Sequence, residues 1–369
     1  MRVPQHPLKV QSQFHPVISQ NIILVLDIKT IRLWKRRRLK VYFSIYEGFG
    51  VWGSVFVPDI PDGHTLSERE SIELLNSIKS DSITWLGHAS FLIRVANKTI
   101  LTDPFLSKYA SPVSWAGPTR LVASPLPINS LPSIDIVIVS HNHYDHLDDE
   151  TVSNLKNKDD IHIVVPLGLK PFFIERGYSK VTELDWGQSV SVEGIEMTAE
   201  PAVHDSARSI ADHNETLWAS WVINSAQQRI LFIGDTGYSG SIFKNLGDKY
   251  GSFDYAILPI GAYEPRELMW MSHTTPEEAV SIGIDVRAKT LIASHWGTVS
   301  SLSDEPMFSA GIRFKQSAAD RGLSNNELWT MKVGETRPLL PNNHANYANY
   351  ADYANYANYA DYANYAKQQ

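Results

Sequence analysis

Cysteine is absent from the 369-residue chain. That excludes disulfide scaffolds, thiolate zinc sites, iron–sulfur clusters and cysteine nucleophiles. Any metal must be held by His, Asp or Glu, and 13 histidines supply candidates. A basic excess is also missing. The 33 Lys and Arg stand against 40 Asp and Glu, for a net charge of −7. A global nucleic-acid binder carries the opposite balance, so no nucleic-acid partner is expected. No apolar run reaches the 18 residues of a membrane-crossing helix. The best stretch, residues 22–28, contains Asp27 and is followed, not preceded, by its charges. That is the reverse of a secretory leader. The expected location is the cytoplasm, or the inner membrane surface as a peripheral protein.

What is present divides into three. Residues 1–80 read as an N-terminal extension. Its basic and aromatic run Trp34-Lys35-Arg36-Arg37-Arg38-Leu39-Lys40 either is solvated or lies on an anionic membrane. Thr65-Leu66-Ser67-Glu68 can cap a short helix reaching Leu75. Residues 81–340 carry the chemistry. Strands are expected at 83–86, 90–95 and 99–101, then at 134–139, 161–165, 229–233, 255–260 and 290–293. Each is short and apolar, and most end in a polar cluster. Residues 107–133, rich in Pro and Ser, read as a long loop, and 276–282 as a helix. Strands alternating with helices after an opening hairpin indicate a layered α/β fold. Residues 341–369 form a low-complexity tail that repeats Asn/Asp-Tyr-Ala. A three-residue period matches neither helix nor strand, so disorder is expected there.

The decisive stretch is Ser140-His141-Asn142-His143-Tyr144-Asp145-His146, directly after an Ile/Val strand. His141 and His143 project to one side of an extended chain. Asp145 and His146 follow where a tight turn aims them at a second, adjacent ion. The motif has too few ligands to close two tetrahedral sites. Further donors stand at other strand ends: His204, Asp235 in Gly234-Asp235-Thr236-Gly237, and His295 in Ser294-His295-Trp296-Gly297.

This pattern resembles the metallo-β-lactamase superfamily, whose His-x-His-x-Asp-His signature is His141 to His146 here. It is similar above all to the N-acyl-phosphatidylethanolamine phospholipase D family. Trp85-Leu86-Gly87-His88-Ala89-Ser90, Leu101-Thr102-Asp103-Pro104, Gly234-Asp235-Thr236-Gly237-Tyr238, His273 with Pro276-Glu277-Glu278-Ala279, and Ser294-His295-Trp296-Gly297-Thr298 carry the resemblance. It runs from about residue 40 to 340. The resemblance implies a four-layer αββα sandwich with two zinc ions at one edge. It implies His141, His143 and His204 on the first ion, Asp145, His146 and His295 on the second, and Asp235 bridging them. The ions would lie about 3.5–4 Å apart. His273 and Asp145 are the expected catalytic side chains. His273 would orient the phosphoryl group or protonate the leaving alkoxide. His88 and Asp103 are candidates for orienting the ligands. Met269, Trp270 and Met271 are expected to sit in the core or to wall the site. His162 and His213 have no supporting context.

The implied function is hydrolysis of N-acyl-phosphatidylethanolamine to phosphatidic acid and an N-acylethanolamine. The substrate partner is then a phospholipid, with peripheral membrane contact, and a homodimer stays open. The rival is a metal-dependent hydrolase of a small phosphorylated or lactone substrate.

Overall fold

The structure, a computed structural model, describes residues 58–340. The basic run at 34–40 and the repeat tail lie outside these residues. In chain order the first strands are β1 (Ser82–Gly87), β2 (Ser90–Val95), β3 (Lys98–Thr102), β4 (Thr119–Arg120), β5 (Ile136–Ile138), β6 (His162–Pro166), β7 (Lys180–Leu184) and β8 (Ser189–Val192). There follow β9 (Ile195–Glu200), β10 (Ser220–Asn224), β11 (Arg229–Phe232), β12 (Phe253–Pro259), β13 (Ala288–Ser294), β14 (Val299–Ser300), β15 (Leu328–Trp329) and β16 (Thr336–Pro338). The helices are α1 (Glu68–Ser77), α2 (Asp149–Asn154), α3 (Lys170–Glu175), α4 (Gly240–Tyr250), α5 (Arg266–Met269), α6 (Pro276–Asp285) and α7 (Ser309–Asp320).

Two seven-stranded sheets result, in the orders β16-β1-β2-β3-β5-β6-β7 and β15-β13-β12-β11-β10-β9-β8. Side-chain alternation explains why they stack. In the first sheet Phe91, Ile93, Ile100, Ile136, Ile138 and Val164 join one core with Met197, Trp221, Ile223, Leu231 and Ile257 of the second. The alternate residues Leu92, Leu101, Val137, Ile163 and Val165 face away. They meet Leu75 of α1, Val152 of α2 and Phe173 of α3. A strand with apolar residues on both faces needs cover on both. Helices α4, α6 and α7 cover the outer face of the second sheet through Phe243, Ala279, Val280 and Phe314. The expected αββα sandwich is the observed fold. Each buried Phe, Leu or Ile contributes roughly 1.5–3 kcal/mol of transfer free energy.

Strands β3, β5, β6 and β7 run parallel, as do β11, β12, β13 and β15. Loops after parallel strands emerge at one end, where ligands bind in such sheets. Three local expectations need correction. The cap of α1 is Ser67, whose side chain and Glu70 form the capping box. Thr65 instead pairs with Val333 in an isolated bridge. The 107–133 loop contains β4, paired with β14, and a turn of 3-10 helix at Ile128–Ser130. Strands β7, β8 and β10 fill stretches where no strand was expected, whereas β9 is the strand that ends shortly before His204.

Candidate metal centre

Short loops at strand ends bring the candidate ligands together. The loop after β5 turns back on itself, with the amides of His146 and Leu147 donating to His143 O at 3.0 and 2.8 Å. His204 follows β9, Asp235 follows β11 and His295 follows β13. Gly234 precedes Asp235 at φ +69°, and a Cβ there would stand 2.3 Å from Ser140 Cβ. Only glycine allows the Asp235 turn to approach the histidine loop this closely. His88, Asp103 and His295 take positive φ values of 54°, 32° and 58°. Such conformations persist where surrounding contacts over-determine them, and they cluster at functional sites.

Asp235 Oδ2 lies at the centre. It is 3.1 Å from His146 Nε2 and 3.1 Å from His295 Nε2. On its other side it is 3.8 Å from His204 Nε2 and 4.0 Å from His141 Nε2. One half of the cluster is a trio of imidazoles. His141 Nε2 is 2.9 Å from His143 Nδ1 and 3.1 Å from His204 Nε2, and His204 Nε2 is 3.3 Å from His143 Nδ1. The other half joins Asp145 Oδ2 to His295 Nε2 at 3.4 Å and to His146 Nε2 at 3.6 Å.

The donor set fits metal ions. His146 Nε2, Asp235 Oδ1 and both ring nitrogens of His295 are buried without a directed hydrogen bond. Buried polar atoms are ordinarily satisfied, so a cluster of orphans calls for an ion. Nitrogens on a tetrahedral zinc, each about 2.0–2.1 Å from the ion, are separated by about 3.3–3.4 Å, close to the spacing of the imidazole trio. Every ligand candidate from the sequence, His141, His143, Asp145, His146, His204, Asp235 and His295, is in the cluster. His273 is at its margin, with Nδ1 buried, unpartnered and 3.8 Å from Asp235 Oδ2.

Outer partners hold the rings. Asp103 Oδ2 meets His146 Nδ1 at 2.6 Å and accepts from Ser140 Oγ at 2.6 Å. Ser140 Oγ in turn lies 2.9 Å from His141 Nδ1. One carboxylate thereby fixes a ring in each half. His204 Nδ1 donates to Ser272 O at 3.0 Å. His88 Nε2 meets Asp145 Oδ2 at 2.9 Å. Arg266 ties His273 O, at 2.6 Å, to the Glu278 carboxylate of the α6 capping box. His162 bonds Thr182 away from the centre, whereas His213 pairs with Asp205 beside His204 at 3.4 Å. Ser140, Ser272 and Arg266 were not found from sequence. For Ser272 and Arg266 the link runs through a backbone carbonyl, which leaves no pattern there.

The electrostatics of the halves differ. In the imidazole half, burial and neighbouring histidines push His141 well below its ordinary value and His143 down to about 4. In the mixed half, burial acts the same way, but the carboxylates outweigh it. Asp235 and Asp145 hold His146 well above its ordinary value and His295 up to about 9. Burial raises Asp145 and Asp235, yet the surrounding histidines, His146 foremost, hold both well below the usual carboxylate range. Burial and His295 push His88 down to about 3, so it faces Asp145 as a neutral ring.

Residues 98–296 match the beta-lactamase superfamily domain. The chain is 38% identical over 263 residues to N-acyl-phosphatidylethanolamine-hydrolyzing phospholipase D 1 of Caenorhabditis elegans, covering 68% of this chain and 74% of that one. It is 36% identical over 221 residues to the mitochondrial N-acyl-phosphatidylethanolamine-hydrolyzing phospholipase D of Saccharomyces cerevisiae, covering 58% of this chain and 47% of the yeast protein. Igni18, a metallo hydrolase from Ignicoccus hospitalis, shares the fold with a TM-score of 0.53 at 19% identity, over 70% of this chain and 98% of that one. The chain therefore belongs to the metallo-β-lactamase superfamily of metal-dependent hydrolases, in the family of the N-acyl-phosphatidylethanolamine-hydrolysing phospholipases D.

Proposed function

We propose that the chain is a dinuclear zinc phosphodiesterase that hydrolyses N-acyl-phosphatidylethanolamine to phosphatidic acid and an N-acylethanolamine. The observation that carries this reading is the convergence of two ligand sets on Asp235 Oδ2. His141, His143 and His204 would hold one ion, Asp145, His146 and His295 the other, and Asp235 both. Two bound zinc ions would supply Lewis acidity, acidifying a water and neutralising charge on a phosphoryl group. Asp145 would take the proton of the attacking water, and the neutral His88, hydrogen-bonded to its carboxylate, would keep it oriented. His273 would meet the substrate phosphate, a role supported by its unpartnered Nδ1 at the margin of the cluster. Burial pushes its pKa well below the ordinary value, so it is neutral and orients the phosphoryl group or leaving oxygen by hydrogen bonding.

The lipid substrate is supported by the names of the worm and yeast relatives and by the surface beside His273. Leu268, Trp270 and Met271 expose about half of each side chain just before that residue. Of the two readings left open from sequence, core or site wall, this exposure supports the wall for Trp270 and Met271. No described helix is long and apolar enough to cross a membrane. We assign bilayer contact to this rim and to the basic run at residues 34–40, as a peripheral and salt-sensitive association.

The test compares substrates. Zinc-loaded protein is expected to release N-acylethanolamine from N-acyl-phosphatidylethanolamine in micelles far faster than it hydrolyses a water-soluble lactone phosphate. Equal or faster turnover of the lactone phosphate would reject the lipid reading in favour of a small-substrate hydrolase.

A further inference from the structure

Arg208 lies in the loop between β9 and β10, shortly after His204. Its Nη1 donates to Asn142 O at 2.9 Å and to Leu147 O at 2.6 Å. Those carbonyls bracket His143, Asp145 and His146. Between them the guanidinium lies over the Tyr144 ring, 3.9 Å from its centroid. Tyr144 Oη donates back to Arg208 O at 3.1 Å. The histidine loop is thus gripped at both ends and in the middle by one side chain.

The loop that carries Arg208 is braced by its own bonds. Asp212 Oδ1 accepts from the amides of Arg208 and Ser209 at 3.0 and 2.7 Å. Ser206 N donates to Asn214 Oδ1 at 3.0 Å, and Asn214 N donates to Ser206 O at 2.7 Å. None of these bonds involves a ligand candidate. A charged donor bonded to a backbone carbonyl is stronger than a neutral one, and the planar guanidinium can bond and stack at once. A lysine in its place would offer a point charge that cannot do both.

We infer that Arg208 is a positioning residue that sets residues 142–147 in their ligating shape before any metal binds. This rests on the reading that His143, Asp145 and His146 are ligands. Folding, rather than the ion, then bears the cost of ordering the loop, and metal affinity is higher for it.

Hydrogen exchange on full-length, metal-free protein tests this directly. The amides of His146 and Leu147 are expected to be protected without zinc almost as well as with it. In Arg208→Met they lose that protection, and zinc affinity measured against a chelator falls about 10–100-fold, as for other outer partners of metal ligands. The visible spectrum of the cobalt-loaded variant shifts, and Arg208→Lys recovers only part of each effect. Arg94→Met is the control. It removes bonds to Ser82 Oγ and Ile78 O, both 2.8 Å, far from the centre. It should lower Tm and leave zinc affinity and the cobalt spectrum unchanged. Free exchange of both amides in metal-free wild type would overturn the inference even if Arg208→Met does not fold. So would wild-type affinity and spectrum in Arg208→Met. A wild type that binds no zinc would instead remove the ligand reading itself.

Discussion

The two halves of the centre share Asp235 but are built on opposite principles. His141, His143 and His204 form an imidazole half, in which burial and crowding strip the charge from His141 and His143. Asp145, His146 and His295 form a half in which carboxylates keep the histidines protonated. An ion entering the first half meets free lone pairs on His141 and His143. One entering the second must displace protons. The comparison teaches that ligand identity alone does not set the order or pH dependence of loading. The charge of each ligand's neighbours does.

The largest effect is expected at the shared residue. Asp235→Asn should lower zinc in both halves, by more than the roughly 10–100-fold loss of affinity seen for outer partners. Turnover should disappear with it. Undiminished zinc and activity in that variant would dissolve the two-half description. His273 lies outside both halves, so His273→Ala should keep its zinc while turnover falls about 10²–10⁴-fold, the range of a hydrogen-bonding acid or base. Metal analysis showing a loss equal to that of His295→Ala would make His273 a ligand.

Asp103 serves both halves, through Ser140 to His141 and directly to His146. Asp103→Ala should therefore weaken both ions, each by about 10–100-fold. A loss confined to one ion in a chelator titration would show that the Ser140 relay is idle.

A smaller effect sharpens the difference itself. His295 carries a proton below about 9, and a bound ligand must lose it. Zinc affinity of the mixed half should therefore rise with pH toward about that value, with His146 adding to the rise. Calorimetry in buffers of different ionisation enthalpy should find protons released on loading. His295→Ala should reduce that number, whereas His143→Ala should not, because His143 is already neutral at pH 7. Equal proton release from both variants would erase the contrast.

The same contrast governed what could be read from the chain. Four of the seven ligand candidates lie in one short segment, His141 to His146, whose spacing alone declares a metal loop. His204, Asp235 and His295 stand singly at distant strand ends and became candidates only beside that segment, while their assignment to one ion or the other came from the family resemblance. The α1 cap shows a second limit. Thr65 with Glu68 and Ser67 with Glu70 satisfy the same pattern, and the pairing of Thr65 with Val333 decides between them. Edge strand β8 escaped notice because its Ser-Val-Ser-Val sequence is mostly exposed and offers little apolar signal. Arg208 escaped because its partners are carbonyls, which every residue has.

On the proposed reading, turnover needs two ions, one in each half. Chelator-stripped protein should be titrated with zinc while bound metal and N-acylethanolamine release from N-acyl-phosphatidylethanolamine micelles are measured together. About two zinc ions per chain are expected, with turnover reaching its plateau only as the second is bound. Full turnover with one equivalent, or with none, would contradict it.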